Sequence, residues 1–146
     1  MAQVEVIHVD PLGVELSRST VMVADPDPET AKVFKLKTLA ARRWEACQFF
    51  EYDGVKAPAD SAMTAITATA VAINMGLRDP QETIIWKLAD GEFRQWLLAD
   101  LLAYASAVQA HIQSCFNHEA LLSGLIQSAD TVDDVESISI EAGWPG

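Results

Sequence analysis

The chain has 146 residues, half of them hydrophobic and 21% charged, a composition that excludes wholesale disorder. Its net charge of −11 opposes binding to phosphate backbones and so argues against a nucleic-acid partner. Two cysteines are too few for a disulfide scaffold, and no apolar run approaches the roughly 18 residues that cross a bilayer. We therefore expect a soluble protein, made in the cytoplasm without a signal peptide, that needs no membrane and no cofactor.

The N-terminal part of the chain predicts a β arm. Polar and apolar residues alternate over residues 3–9 and again in part over 14–23, and the Asp-Pro-Leu-Gly stretch between them has the composition of a turn. A lone two-stranded hairpin is marginal in water, so this arm needs a surface to lie on. We predict an arm over residues 1–26 whose partner-binding side chains are Val4, Val6, Ile7, Val9, Val21 and Val23.

The remaining residues, 27–146, predict an α+β domain with three main helices and two short β-hairpins. The Asp25-Pro26-Asp27-Pro28-Glu29 stretch breaks regular structure, and its Asp27 and Pro28 are typical of a helix start. The predicted helices run from about Pro28 to Gln48, from a cap at Asp60 or Ser61 to Met75, and from Leu97 to Ser128, with a short terminal helix after Thr131. The two hairpins turn at Asp53-Gly54 and Ala89-Asp90-Gly91, and residues 138–146 are expected to be extended.

Charge is distributed unevenly along the chain. Five of its ten bases lie between Lys32 and Arg43 with no acid among them, whereas seven acids and no base follow Arg94. One interpretation is a solvated basic helix face together with an acidic tail, the basic face lying mostly opposite the apolar positions Val33, Leu36, Leu39, Ala40, Ala46 and Cys47. The other is a polarised molecule whose basic segment meets an acidic partner, for instance the acidic end of a neighbouring copy.

Reactive side chains cluster at one place in the sequence, where His111, Cys115 and His118 share the third helix. A metal there would need a fourth ligand from elsewhere, and a nucleophilic thiol at Cys115 or Cys47 would need an electropositive pocket. We interpret these residues as ordinary helix residues and predict no catalytic, cofactor or metal site. A small metal- or thiol-dependent enzyme built on this cluster is the alternative.

The four tryptophans carry information about packing and contacts. Trp44, Trp86 and Trp96 fall in or beside predicted elements and are expected to build the core. Trp144 lies near the C-terminus, where fraying would expose it. We expect it to be an anchor, either folded back onto the domain or bound by a partner, and we add it to the predicted partner-binding residues.

Several segments, taken in order, resemble a known pattern. The first three are the hairpin Phe49-Phe50-Glu51-Tyr52-Asp53-Gly54, an Ala/Thr-rich helix led by Asp60, and the hairpin Trp86-Lys87-Leu88-Ala89-Asp90-Gly91. A long helix follows, with Ala107-Val108-Gln109-Ala110-His111 and Cys115-Phe116. The last segments are Val132-Asp133-Asp134-Val135-Glu136-Ser137-Ile138 and Gly143-Trp144-Pro145. This order resembles a small, functionally uncharacterised domain of tailed-phage tail-fibre, tail-fibre-assembly and related tail proteins, over roughly residues 30–146. In such relatives the preceding segment varies and commonly joins the domain to tail or fibre material. Many of them carry the domain at the end of a longer chain.

The resemblance implies a structural protein of the virion tail that attaches to, or assists assembly of, the tail fibre or baseplate. It would be present in several copies per particle, as a homo-oligomer or singly, and would pass through the host cytoplasm during assembly. Whether it is a permanent component or a removable chaperone stays open. A further alternative is a non-viral acidic adaptor that binds a basic host protein through its acidic C-terminal third.

Overall fold

The computed structural model of the chain describes residues 2–23 and 27–146, so the predicted boundary at residues 24–26 lies outside the described residues. The α+β class is confirmed, with an N-terminal hairpin, three substantial helices and two further short hairpins. The elements are β1 (Ala2–Val9), β2 (Glu15–Val23), α1 (Pro28–Ala46), β3 (Phe49–Tyr52), β4 (Val55–Pro58), α2 (Met63–Asn74), β5 (Thr83–Lys87), β6 (Phe93–Leu97), α3 (Leu98–Ser128) and α4 (Val132–Ser137). Strands pair as the antiparallel hairpins β1–β2, β3–β4 and β5–β6.

Local chemistry explains most element boundaries. The Asp27 carboxylate accepts a hydrogen bond from the Thr30 backbone N–H and caps α1, as predicted. Asp53 and Gly54 both adopt positive φ, at 53° and 77°, which the predicted tight β3–β4 turn requires.

The start of α2 differs from the prediction. A single 3-10 turn at residues 60–62 precedes α2. The N-cap of α2 is Ala62, which offers no capping side chain. The prediction of a cap at Asp60 or Ser61 is therefore wrong. Ala59 is fully buried and its backbone N–H bonds to the carbonyl of Gln48, so packing of small residues fixes this helix start.

Two hydrophobic clusters hold the helical domain together. The first joins the β3–β4 and β5–β6 hairpins to α2 and the first half of α3, and it is centred on Tyr104. The second joins α1, the second half of α3, α4 and the tail through Leu39, Ile126 and Ile140. Because α3 rises about 46 Å over its 31 residues, it serves both clusters and acts as the spine of the domain.

Helix length and hydropathy also bear on the membrane prediction. Within the described ranges, no helix combines the length and the apolar character that a bilayer crossing requires.

Candidate interaction surfaces

The hairpin β1–β2 has one face without charge. Cross-strand pairing places residues 4, 6 and 8 opposite residues 21, 19 and 17, and successive residues of a strand point to opposite faces. We call this the uncharged face of the arm; its members are Val4, Val6, His8, Ser17, Ser19 and Val21. Val4 and Val21 are 44% and 46% exposed, so neighbouring elements leave much of this face open.

The opposite face of the arm carries ion pairs. Arg18 donates to Glu5 at 3.0 Å and to Glu15 at 2.9 Å, and Ile7 pairs with Arg18 across the strands. The register thus separates the predicted partner-binding residues. Val4, Val6 and Val21 lie on the uncharged face, whereas Ile7 and Val9 lie on the charged one. Val23 pairs with Ala2 through its backbone, and its side chain is outside the described part of the structure.

Among the reactive side chains of α3, His111 and Cys115 are neighbours in the interior, whereas His118 contacts the C-terminal tail. His111 is buried, with its Nε2 2.8 Å from the carbonyl oxygen of Ala46 and 3.7 Å from the sulfur of Cys115. His118 instead has its Nε2 3.0 Å from the carbonyl oxygen of Ala142. Among the residues that the structure describes, no three His, Cys, Asp or Glu side chains are grouped to hold a metal ion.

The thiol of Cys115 lies in a poor environment for a nucleophile. Burial, followed by the neighbouring Cys47 thiol, raises the pKa of Cys115 to about 12. Both cysteines are free and buried. Since the thiolate is the reactive species, a buried thiol with a raised pKa is protonated and unreactive at pH 8.

We expect Cys115 to resist alkylation in the folded protein. Iodoacetamide at pH 8, followed by mass spectrometry of peptides, should leave it unmodified over times that fully label the urea-unfolded chain, because the folded thiol is buried and protonated. The unfolded chain is the internal control. Labelling of Cys115 at equal rates in both states would contradict the prediction and favour the thiol-enzyme alternative.

The basic segment of α1 is bound by the chain's own acidic end. Arg43 Nε lies 3.1 Å from Glu119 on α3, and Arg42 Nε lies 3.1 Å from Glu141 in the tail. Lys35 donates to the carbonyl oxygen of Glu136 at 3.3 Å. In the structure these bases contact acidic residues of the same chain, and pairing with a separate acidic partner stays a prediction.

The predicted inner face of α1 is confirmed at Leu39 and Cys47, which are buried, and is wrong at Val33 and Ala40, which are exposed. Arg42 and Arg43 point toward the domain, and Val33, which was predicted to lie on the inner apolar face, is 69% exposed. The interpretation of a solvated basic face is wrong for these two arginines. Trp44 is likewise exposed, which contradicts its predicted place in the core.

The other two central tryptophans occupy the predicted core. Trp86 and Trp96 stack with ring centroids 6.2 Å apart and pack against the cluster around Tyr104. Their prediction as core residues is confirmed.

The C-terminal tail folds back onto the helical domain. Trp144 Nε1 donates to the carbonyl oxygen of Ile140 at 2.8 Å, and the Trp144 ring meets the His118 ring edge-on with centroids 4.7 Å apart. The Arg42 guanidinium lies 5.9 Å from the Trp144 ring centroid. Of the two alternatives for this anchor, the structure shows the intramolecular one, and the half-buried ring keeps only part of its surface for a partner.

Comparison with known proteins identifies a family but no named relative. Neither the curated proteins nor the solved structures give a match to this chain. Among domain families, residues 30–141 match one described as a domain of unknown function (DUF4376). The matched segment takes in both hydrophobic clusters and leaves the β1–β2 arm outside. Because the match covers well over half of the sequence, the chain belongs to the DUF4376 family.

Proposed function

We propose that the chain is a non-enzymatic structural protein of a bacteriophage tail that attaches to, or helps assemble, the tail fibre or baseplate. The tail context rests on the resemblance of residues 30–146 to domains of tail-fibre and tail-fibre-assembly proteins. The attachment mechanism rests on one structural observation, the exposed β1–β2 arm. The family match adds a shared domain without a known activity.

The arm has the properties of an element completed by a partner. Two strands with exposed faces bury too little apolar surface for independent stability in water. The charged face, with Glu5, Glu15 and Arg18, is stable in contact with water, because burying charges costs free energy. The uncharged face around Val4 and Val21 can be buried without that cost. A sheet or groove of a tail protein that covers the uncharged face would complete the arm.

The helical domain would then be the rigid body that the arm attaches to the phage tail. The two hydrophobic clusters of the domain share α3, and ion pairs join α1 to α3 and to the C-terminal tail of the chain. Neither alternative function gains support from these contacts. His111 and Cys115 are directed into the interior, and Glu119 and Glu141 of the acidic third are already paired with arginines of α1.

A matched pair of lysine substitutions tests the arm. Val21→Lys puts a charge on the uncharged face, whereas Thr20→Lys puts the same charge on the adjacent, exposed residue of the opposite face. We expect Val21→Lys to lower association with tail structures about tenfold or more, since a lysine buried at an interface lacks a partner there. Thr20→Lys should associate like the natural chain. Association would be measured by immunoblotting of purified particles and tail assembly intermediates, which covers both a permanent component and a removable chaperone.

Two outcomes would contradict the proposed attachment. Val21→Lys could associate as well as the natural chain, or both variants could lose association equally. Loss of fibres from particles, counted by electron microscopy, would accompany the expected result.

A further inference from the structure

The exposed side of α3 carries no charge. Fifteen residues between Leu102 and Ser128 are exposed, and none of them is Asp, Glu, Lys or Arg. The one charged residue in that range is Glu119, which is half-buried and paired with Arg43 at 3.1 Å. We call this surface the neutral face of α3. It extends about 40 Å along a molecule whose net charge is −11, so its neutrality is a local property of this helix.

The neutral face also exposes large apolar side chains. Leu102, Phe116, Leu121 and Leu125 are between 43% and 61% exposed. Exposed apolar side chains of this size that recur along one helix are typical of a contact surface rather than of a solvated one.

A groove runs beside the neutral face, between α3 and α1. It has a volume of about 620 Å³, and its walls include Leu36 and Leu39 of α1, Phe116 and Ala120 of α3, and Glu119, whose charge is paired with Arg43. On α1 the groove continues toward Val33 and Ala40, which lie on the same side of the helix as Leu36 at spacings of three and four residues. A ridge of side chains from another helix could enter it by ridges-into-grooves packing.

We propose that the occupant is a second copy of this chain, with α3 of each copy packed along the α1–α3 groove of the other. A two-fold contact brings identical surfaces together, so its chemistry must be complementary to itself. Amides such as Gln113 and Asn117 both donate and accept hydrogen bonds, and apolar side chains match each other, whereas like charges repel. A strongly charged partner would find only Glu119 and Arg43 beside this face, and these two charges are already paired with each other.

Size and charge spacing agree with a second copy. Interfaces of standard size use about 20–30 residues a side, and the fifteen exposed residues of α3 approach that number once the α1 wall of the groove is added. Two acidic chains also repel each other wherever their carboxylates approach within a Debye length of about 8 Å. The neutral face is where such chains can meet without that repulsion.

The oligomeric state of the full-length chain tests the proposal. Sedimentation velocity over a wide concentration series should give a mass of two 15.9 kDa chains for the natural protein. Ala120→Glu, in the groove wall, should raise the dimer dissociation constant about a hundredfold or more by placing an unpaired charge in the contact. Ala68→Glu makes the same change at an exposed site on α2 and should leave the dimer intact.

Three outcomes would contradict the proposed dimer. The natural chain could sediment as a single copy throughout, Ala120→Glu could still dimerise, or Ala68→Glu could lose the dimer too. If Ala120→Glu lowers the thermal midpoint by circular dichroism, Gln113→Glu on the same face replaces it. Val21→Lys in the arm should not change the mass, so failure of tail attachment and failure of the dimer are separate results.

Discussion

Replacing Tyr104 with alanine is expected to lower the free energy of unfolding by about 3–5 kcal/mol, the range for removing a buried aromatic ring. Tyr104 is fully buried, and four aromatic rings surround it with centroid distances from 4.9 to 5.9 Å. No single neighbour can fill the space, because these rings belong to both hairpins and hold each other in place. Urea unfolding followed by circular dichroism would measure the change, which is a large share of a typical domain stability of 5–15 kcal/mol.

Tyr104→Phe is the control that separates the ring from the hydroxyl. The hydroxyl donates to the carbonyl oxygen of Pro58, and phenylalanine leaves that acceptor unpaired at a cost of about 1–3 kcal/mol. Burial raises the pKa of Tyr104 to about 12. Above pH 10 the unfolded tyrosine releases its proton while the folded one keeps it, so natural stability should fall between pH 10 and 12 more steeply than that of Tyr104→Phe. Equal losses for the alanine and phenylalanine variants would contradict this account.

The central hairpins were predictable because their signals are local. Asp53-Gly54 fits a turn in which both residues have positive φ, whatever the rest of the chain does. The short turn between β5 and β6 pairs Trp96 with Ile84, two residues before Trp86, so both rings lie on one face of the hairpin. The extent of α3 was predictable for a similar reason, since its apolar pattern continues without a glycine or proline until Gly124.

The inward position of Arg42 and Arg43 was not predictable from the sequence of α1 alone. Periodicity analysis places charged residues outside, yet Arg42 and Arg43 point inward because their partners Glu141 and Glu119 come from 99 and 76 residues further along the chain. Those contacts exist only once α3 and the tail have packed. The same long-range pairing leaves Val33 and Trp44 exposed, a surface that sequence reasoning missed.

The candidate contact surfaces, too, were predictable from the sequence only in part. Alternation in β1 and β2 indicated an arm, but the pairing of Val4 with Val21 and of Ile7 with Arg18 decides which side chains share a face. That pairing depends on the turn and on an irregularity between His8 and Val9, which a pattern of alternating residues cannot locate. In the sequence, the neutral face of α3 could be recognised only as a stretch with a single charged residue. The exposure of each side chain in the structure then shows which residues form the face.

A second large effect is expected at the C-terminal tail, where Gly143→Ala should lower the free energy of unfolding by about 2–3 kcal/mol. Gly143 has φ of +85°, and an L-residue in the left-handed region costs about 1–2 kcal/mol. An added Cβ would also lie 2.8 Å from His118 Cε1, so the imidazole must move. Its movement would break the contact of His118 with the carbonyl oxygen of Ala142 and its edge-on packing with Trp144, which together contribute about 1 kcal/mol or more.

Gly91→Ala separates backbone strain from the steric clash. Gly91 has a similar φ of +78°, but nothing lies within 4 Å of its added Cβ, so it should show the strain alone. His118→Ala removes the clashing ring, and in that background Gly143→Ala should cost no more than Gly91→Ala. Urea unfolding of the four variants would give the coupling between Gly143 and His118. If Gly143→Ala costs the same with and without the His118 ring, the tail is not seated on α3 as described, and Trp144 becomes available to a partner.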